Sequence, residues 1–424
     1  MKKIILLILI FPSFVFSFYI EGPFVANIKE RSALIWWKGI GGKLFIDGKV
    51  YEKKKEPFEI KIKGLSAGRS YRYYVIFENG ERRPEKGYYT FHTEPEGEFR
   101  FAVAADSRGP LSFIPIRKSI LKEIFQDAKK RKVEFFCFLG DLVFGYASSE
   151  KKLRNQLREW KKTVAFFMHE IPVYTTMGNH DTVFHKVKDK AGYYFLDGEK
   201  KNGRIVFSED VFSEEFVNPA ESFPEKESAE APSYRETAYS FDFGNSHFLF
   251  LNTDYWIACS EGYEGRRFYE KGNPSAGRIM DRQIEWIEKD LKDARKRGIK
   301  HIFVFGHRPI FPITEKQKLS EDLRSDLEKR RKRIWDIFSR YKVTCAFFGH
   351  EHNYSRTLIK GVWQIVTGGA GAPLHSCSLR KEISDKVKKC KMIFHYCLVT
   401  VKKDRVILDV IGIKEKKIID HAEF

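Results

Sequence analysis

Five short segments place carboxylate, amide and imidazole side chains directly behind stretches of apolar residues: Asp106; Gly140-Asp141; Gly178-Asn179-His180-Asp181; Gly306-His307; and Gly349-His350-Glu351-His352. Oxygen and imidazole donors of this kind suit hard to borderline divalent cations. Two such cations about 3.5–4 Å apart can polarise a phosphoryl oxygen, draw hydroxide from water at neutral pH and stabilise a leaving oxygen. Taken singly, a Gly-Asp or Gly-Asn behind a strand is an ordinary turn. Five in series, all of the same donor chemistry, argue for one two-metal hydrolytic site.

The elements that must position these residues are legible as periodicity. Apolar runs at 101–105, 135–139, 173–176, 248–252, 302–305 and 344–348 read as strands, and those that precede a motif end one or two residues before its ligand candidate. Helical spacing joins Ile284, Ile287 and Leu291, and again Ile334, Ile337, Phe338 and Tyr341. Strands alternating with helices predict an α/β domain, which collects its site from loops at the carboxyl ends of its strands. This domain is expected over 98–413. Residues 185–238, charged and without clear periodicity, read as an insertion forming a rim or lid.

Ahead of it, short alternating strands at 32–37, 43–46, 58–62, 71–77 and 87–91, punctuated by Asp47-Gly48 and Asn79-Gly80, predict an all-β sandwich over 18–95. Glu94-Pro95-Glu96-Gly97 reads as the linker. Lys2-Lys3 followed by the apolar run from Ile4 to Phe16 and the small Ser17 has the form of a secretory signal over 1–17, shorter than a membrane span. Export to the periplasm or medium is therefore expected, with an uncleaved anchor or a buried strand as the alternatives.

At 424 residues, 42% hydrophobic and 31% charged, the chain is globular and long enough for two domains. Its net charge of +19 suits an anionic surface or polymer as a partner. The basic residues are spread along the chain, so no dedicated nucleic-acid motif stands out. Oligomeric state is not legible. Six cysteines are too few for a disulfide scaffold. Cys137 and Cys345 fall in strand-like runs and read as core, Cys377 and Cys390 could close a local loop, and Cys259 and Cys397 stay undecided. Their spacing offers no thiolate metal site.

Beyond this reading, Gly349-His350-Glu351-His352-Asn353-Tyr354-Ser355-Arg356, Gly306-His307-Arg308-Pro309 and the stretch from Tyr239 to His247 resemble motifs of the calcineurin-like metallophosphoesterase superfamily. They resemble most the purple acid phosphatase-like branch, as does a β-sandwich placed in front. The segment from Gly64 to Val75 resembles the late-strand signature of fibronectin type III domains. The resemblance covers nearly all of the chain after the N-terminal segment, and implies two central sheets flanked by helices. It implies that Asp141 bridges two divalent ions (Fe, Mn or Zn), with Asp106 and His352 on the first and Asn179, His307 and His350 on the second. Metal-activated hydroxide would then hydrolyse a phosphomonoester. His180 resembles the family's leaving-group histidine, and Asp181 beside it is expected to orient the ring. Glu351 reads as solvated or supporting rather than as a ligand.

Two positions depart from the pattern. Arg108 stands where superfamily members commonly have histidine, and Phe144 where purple acid phosphatases have the metal-binding tyrosine. The first metal thus lacks a usual ligand by either scheme, and ferric colour is not expected; Tyr146 is close but out of register. Arg108 suits a bidentate contact to substrate phosphate or, equally, a salt bridge to a nearby carboxylate. The alternatives to a phosphomonoesterase are a phosphodiesterase of the same superfamily and a secreted anion-binding protein with weakened catalysis.

Overall fold

The structure is a computed structural model that describes residues 19–189, 192–219, 222–256, 258–260, 277–314 and 321–424. The expected signal over 1–17 lies outside the described residues. Among those described, no helix is long and apolar enough to cross a membrane.

The amino-terminal part is all β. A three-stranded antiparallel sheet (Glu21–Lys29, Ser32–Lys38, Phe58–Lys63) faces a second sheet built on Gly42–Ile46 and Ser70–Phe77, with Lys49–Lys53, Arg82–Arg83 and Tyr89–His92 paired beside them. Alternation puts Ile35, Trp37, Leu44, Tyr73, Val75 and Phe91 into the core between the sheets. All five expected strands form. The first, Glu21–Lys29, was hidden because Gly22-Pro23 reads as punctuation.

From Phe99 onward the chain builds two larger mixed sheets. One runs Val173–Thr176, Phe135–Leu139, Phe99–Ala104, His395–Val401, Val406–Gly412 and Lys417–Glu423, with its first three strands parallel. The other runs Tyr239–Phe243, Ser246–Phe250, His301–Phe305, Cys345–Phe348, Val362–Thr367, Tyr354–Ile359 and Val387–Lys391, with the second to fifth parallel. The sheets pack face to face through aromatic side chains such as Phe101, Phe135, Phe248 and Phe305. Helices α1 (Lys118–Lys130), α2 (Glu150–Met168) and α3 (Ser208–Glu215) cover the outer face of the first sheet. Helices α4 (Asp281–Lys296) and α5 (Glu321–Arg340) cover the second. Parallel strands buried on both faces explain why their sequences are continuous apolar runs.

The expectation that 185–238 forms a rim needs correction around its middle. α3 is packed in: Val211, Phe212 and Phe216 are buried in the core under the first sheet. Glu215 is fully buried, with Lys161 Nζ donating to its Oε2 at 2.8 Å and Lys38 Nζ 2.9 Å from its Oε1. Lys161 also pairs with Glu21. α3 therefore joins α2 to the amino-terminal sheets. No hydrophobic period was visible because Glu209 and Glu215 occupy inward positions as hydrogen-bond or ion-pair partners.

Cys377 and Cys390 form a disulfide, and Cys137, Cys345 and Cys397 are buried thiols.

Candidate metal centre

The carboxyl ends of the parallel strands of both sheets meet along one edge. Asp106, Asp141 and Asn179 follow Phe99–Ala104, Phe135–Leu139 and Val173–Thr176 of the first sheet. His307, His350 and His352 follow His301–Phe305 and Cys345–Phe348 of the second. One atom each of Asp106, Asp141 and His307 lie within 4.8 Å of one another, and all three residues are buried. His307 Nε2 is 3.2 Å from Asp141 Oδ1 and 3.2 Å from Asn179 Oδ1. His352 Nε2 in turn stands 3.4 Å from Asp106 Oδ1.

Backbone contacts set these positions. Asp106, Asp141 and His350 have left-handed backbones (φ 67°, 50° and 67°), which for residues with a Cβ cost on the order of 1–3 kcal/mol each. The His350 N–H donates to Asp106 Oδ2 at 2.9 Å, and the His180 N–H to Asp141 Oδ1 at 2.9 Å. Glycines precede the ligand candidates because the loops touch. A Cβ on Gly178 would stand 2.3 Å from Asp141 Oδ1, and one on Gly349 2.6 Å from Asp106 Oδ2.

Imidazole tautomers follow from the same bonds. His307 Nδ1 donates to the Leu139 carbonyl at 2.8 Å and His352 Nδ1 to the Pro373 carbonyl at 2.7 Å, so each Nε2 keeps its lone pair for the site. His350 differs: its Nε2 is engaged by the Arg308 guanidinium at 2.9 Å, while Arg308 Nε donates to Asp254 at 2.6 Å.

The donor set fits cations. Asp106 Oδ1 is buried without a hydrogen-bond donor, a costly state for a carboxylate oxygen unless a positive charge faces it. Burial alone would raise the Asp141 carboxyl, but the charges of His307, His180 and His350 outweigh it and hold it well below the usual range. His307 shows the reverse balance: burial pulls its pKa down, yet Asp141, Asp106 and Asp254 raise it.

A cavity of about 540 Å³ opens on the site, lined by Arg108, His180, His350, His352 and His375 among others. Arg108 Nε is 3.7 Å from Asp141 Oδ2, so the cation anticipated there faces both the carboxylate and the cavity. His180 also lines it, Nε2 3.9 Å from Asp141 Oδ2, with its pKa lowered to about 4 by burial against the pull of Asp141. A larger cleft of about 820 Å³, between the amino-terminal sheets and α2 and α3, contains none of the ligand candidates.

Asp181 does not orient the His180 ring as expected. His180 Nδ1 donates instead to the Phe144 carbonyl at 2.6 Å. The fully buried Asp181 carboxylate accepts the N–H groups of Leu142, Val143 and Gly178, which ties together the loops carrying Asp141 and Asn179. Burial, and then the nearby Asp141 charge, push its pKa up. Glu351 is buried rather than solvated, accepting the N–H groups of Ile313 and Thr314. The Tyr146 hydroxyl contacts the Asn179 amide. His247, from the motif Tyr239 to His247, is bonded to Asp242 and Asp290 and is absent from the cavity lining.

Two residues at the site escaped the sequence reading, Arg308 against His350 and His375 on the cavity wall. Arg308 was quoted in a motif without a role. His375 lies behind the fourth parallel strand of the second sheet, Val362–Thr367, separated from it by Gly368-Gly369-Ala370-Gly371-Ala372-Pro373-Leu374; that run followed by glycines was the signal available.

Comparison with known proteins gives the same picture. The family model described as calcineurin-like phosphoesterase matches residues 99–354. Mouse acid phosphatase type 7 is 26% identical over 141 residues, 32% of this chain and 29% of that protein. Human serine/threonine-protein phosphatase CPPED1 is 26% identical over 246 residues, 57% of this chain and 61% of that protein. The chain thus spans less than two thirds of these relatives. The structure of purple acid phosphatase PPD1 from yellow lupin seeds superposes with a TM-score of 0.64 at 16% identity, covering 96% of this chain and 74% of that one; that likeness concerns the fold.

Proposed function

The chain belongs to the calcineurin-like phosphoesterase family, and from that premise we propose that it is an acid phosphatase-like enzyme that hydrolyses phosphomonoesters at a centre of two divalent ions. The observation that carries this reading is the convergence on Asp141 of two donor groups, Asp106 with His352 and Asn179 with His307, beside a buried Asp106 oxygen that lacks a donor.

In this reading Asp106, Asp141 and His352 hold one ion, and Asp141, Asn179, His307 and His350 the other. When bound, the ions supply Lewis-acid polarisation of the phosphoryl group and a nucleophile drawn from water near neutral pH. The remaining chemistry falls to this chain's own groups. Arg108 presents a guanidinium to the phosphoryl oxygens from within the cavity. His180, its Nδ1 fixed on the Phe144 carbonyl, exchanges a proton with the leaving oxygen through Nε2. Asp181 and Glu351 hold the loops that carry the ligands.

The amino-terminal sheets fit a fibronectin III-like spacer, and residues 1–17 fit an export signal, which supports a site of action outside the cytoplasm; N-terminal sequencing of the mature protein from its host tests that. For the activity, the test is turnover of a chromogenic monoester and of the matching diester. Monoester hydrolysis abolished by chelator and restored by divalent ions is expected. Preference for the diester would make the chain a phosphodiesterase, and salt-sensitive polyanion binding without turnover would make it an anion-binding protein.

A further inference from the structure

On the wall of the cavity supplied by the second sheet, the backbone N–H of His352 donates to His375 Nδ1 at 3.3 Å, and the His375 N–H donates back to the His352 carbonyl at 2.9 Å. The two rings stack, with centroids 4.0 Å apart. Because Nδ1 accepts a backbone N–H it carries no proton, so the proton of the neutral ring sits on Nε2. That tautomer is the opposite of the one in His180, whose Nδ1 donates and whose Nε2 accepts. His375 is therefore a hydrogen-bond donor on the rim of a cavity in which the neighbouring His352, its Nδ1 on the Pro373 carbonyl, offers a lone pair.

The loop carrying it is held in place. Cys377, two residues on, is bonded to Cys390 in the strand Val387–Lys391, which pairs with Tyr354–Ile359 directly behind the His350–His352 turn. Ser376 and Ser378 line the same wall. Nothing in the ligand set needs this disulfide, but a rim residue that must meet its target at a fixed distance does.

We propose that His375 is a substrate-contacting residue, its Nε2–H donating to a phosphoryl oxygen, and that the Cys377–Cys390 bridge positions it. This rests on the phosphoesterase reading above. The donor contributes where negative charge gathers on the phosphoryl oxygens, in the cavity that Arg108 also lines.

Two substitutions separate the roles of the ring. His375→Asn keeps an acceptor for the His352 N–H but loses the outer donor, and His375→Gln restores a donor near Nε2. With metal content measured as a control, His375→Asn should lower kcat/KM about 10-fold to 100-fold and weaken binding of inorganic phosphate, measured by calorimetry on the metal-loaded protein. His375→Gln should recover much of both. The pair Cys377→Ser with Cys390→Ser should weaken phosphate binding in the same direction, and add little in the His375→Asn background, as coupled groups do. Unchanged phosphate affinity in His375→Asn overturns the proposal, as does loss of metal in that variant, which would make the residue a support for His352. If the wild-type protein binds metal yet turns over no phosphoester, the parent reading fails, while the phosphate-binding comparison still decides the role of His375.

Discussion

The backbone carbonyl of Phe144 accepts the Nδ1–H of His180 at 2.6 Å. Phe144 thus contributes to the site through its main chain. One consequence is a fixed tautomer: His180 Nε2 is the atom free to exchange a proton with the substrate.

Replacing His180 by Gln is expected to lower kcat for an alkyl phosphate by about 10²–10⁴-fold, the usual contribution of a general acid or base. Metal content should stay intact. A nitrophenyl phosphate, whose leaving group needs no proton, should suffer far less. Equal losses for the two substrates would remove His180 from proton transfer.

Gly178→Ala tests how closely the two loops of the first sheet must approach. The new Cβ would stand 2.3 Å from Asp141 Oδ1 and 2.4 Å from the Asp141 amide nitrogen, so the Asp141 carboxylate must shift. We expect loss of metal affinity and turnover together with a lower melting temperature. A variant that binds metal and turns over like the wild type would show that the loop yields at little cost.

The sequence carried the ligand geometry further than the support around it, for physical reasons. Asp106, Asp141, Asn179, His307, His350 and His352 were legible because each directly follows a strand buried on both faces, and such strands are unbroken apolar runs. His375 obeys the same rule, but seven residues of glycine-rich loop separate it from its strand. Asp181 and Glu351 stand beside ligands in sequence, yet their carboxylates turn toward backbone N–H groups, an orientation that no spacing encodes. α3 was missed because its inward Glu209 and Glu215 break the apolar period.

Arg308 engages the Nε2 of His350 at 2.9 Å and carries a positive charge beside the residues proposed to hold the second ion. Arg308→Met removes both a competitor for the imidazole lone pair and a repulsive charge. We therefore expect tighter divalent-ion binding by titration calorimetry, even though the unpaired buried Asp254 lowers overall stability. Weaker binding would mean that Arg308 supports the ligand geometry rather than opposing it.

Glu215 gives a pH dependence away from the metals. Burial would raise its carboxyl, but Lys161 and Lys38 bring it down to about 2 from an ordinary value of 4.5. A depressed carboxyl contributes stability that is present above about pH 4.5 and lost as pH falls toward 2, on the order of 3 kcal/mol. Urea unfolding between pH 3 and 7 should therefore show a steep acid limb that Glu215→Gln flattens, from a lower plateau. Parallel profiles for the two proteins would contradict this assignment.

The most direct test of the two-metal account is metal content measured together with monoester hydrolysis for the wild-type protein and Asp141→Asn. The account predicts two divalent ions per chain and chelator-sensitive turnover in the wild type. In Asp141→Asn it predicts loss of ions and a fall in turnover of more than about 10²-fold, since one carboxylate serves both sites. An Asp141→Asn protein that keeps both ions and its activity would contradict it.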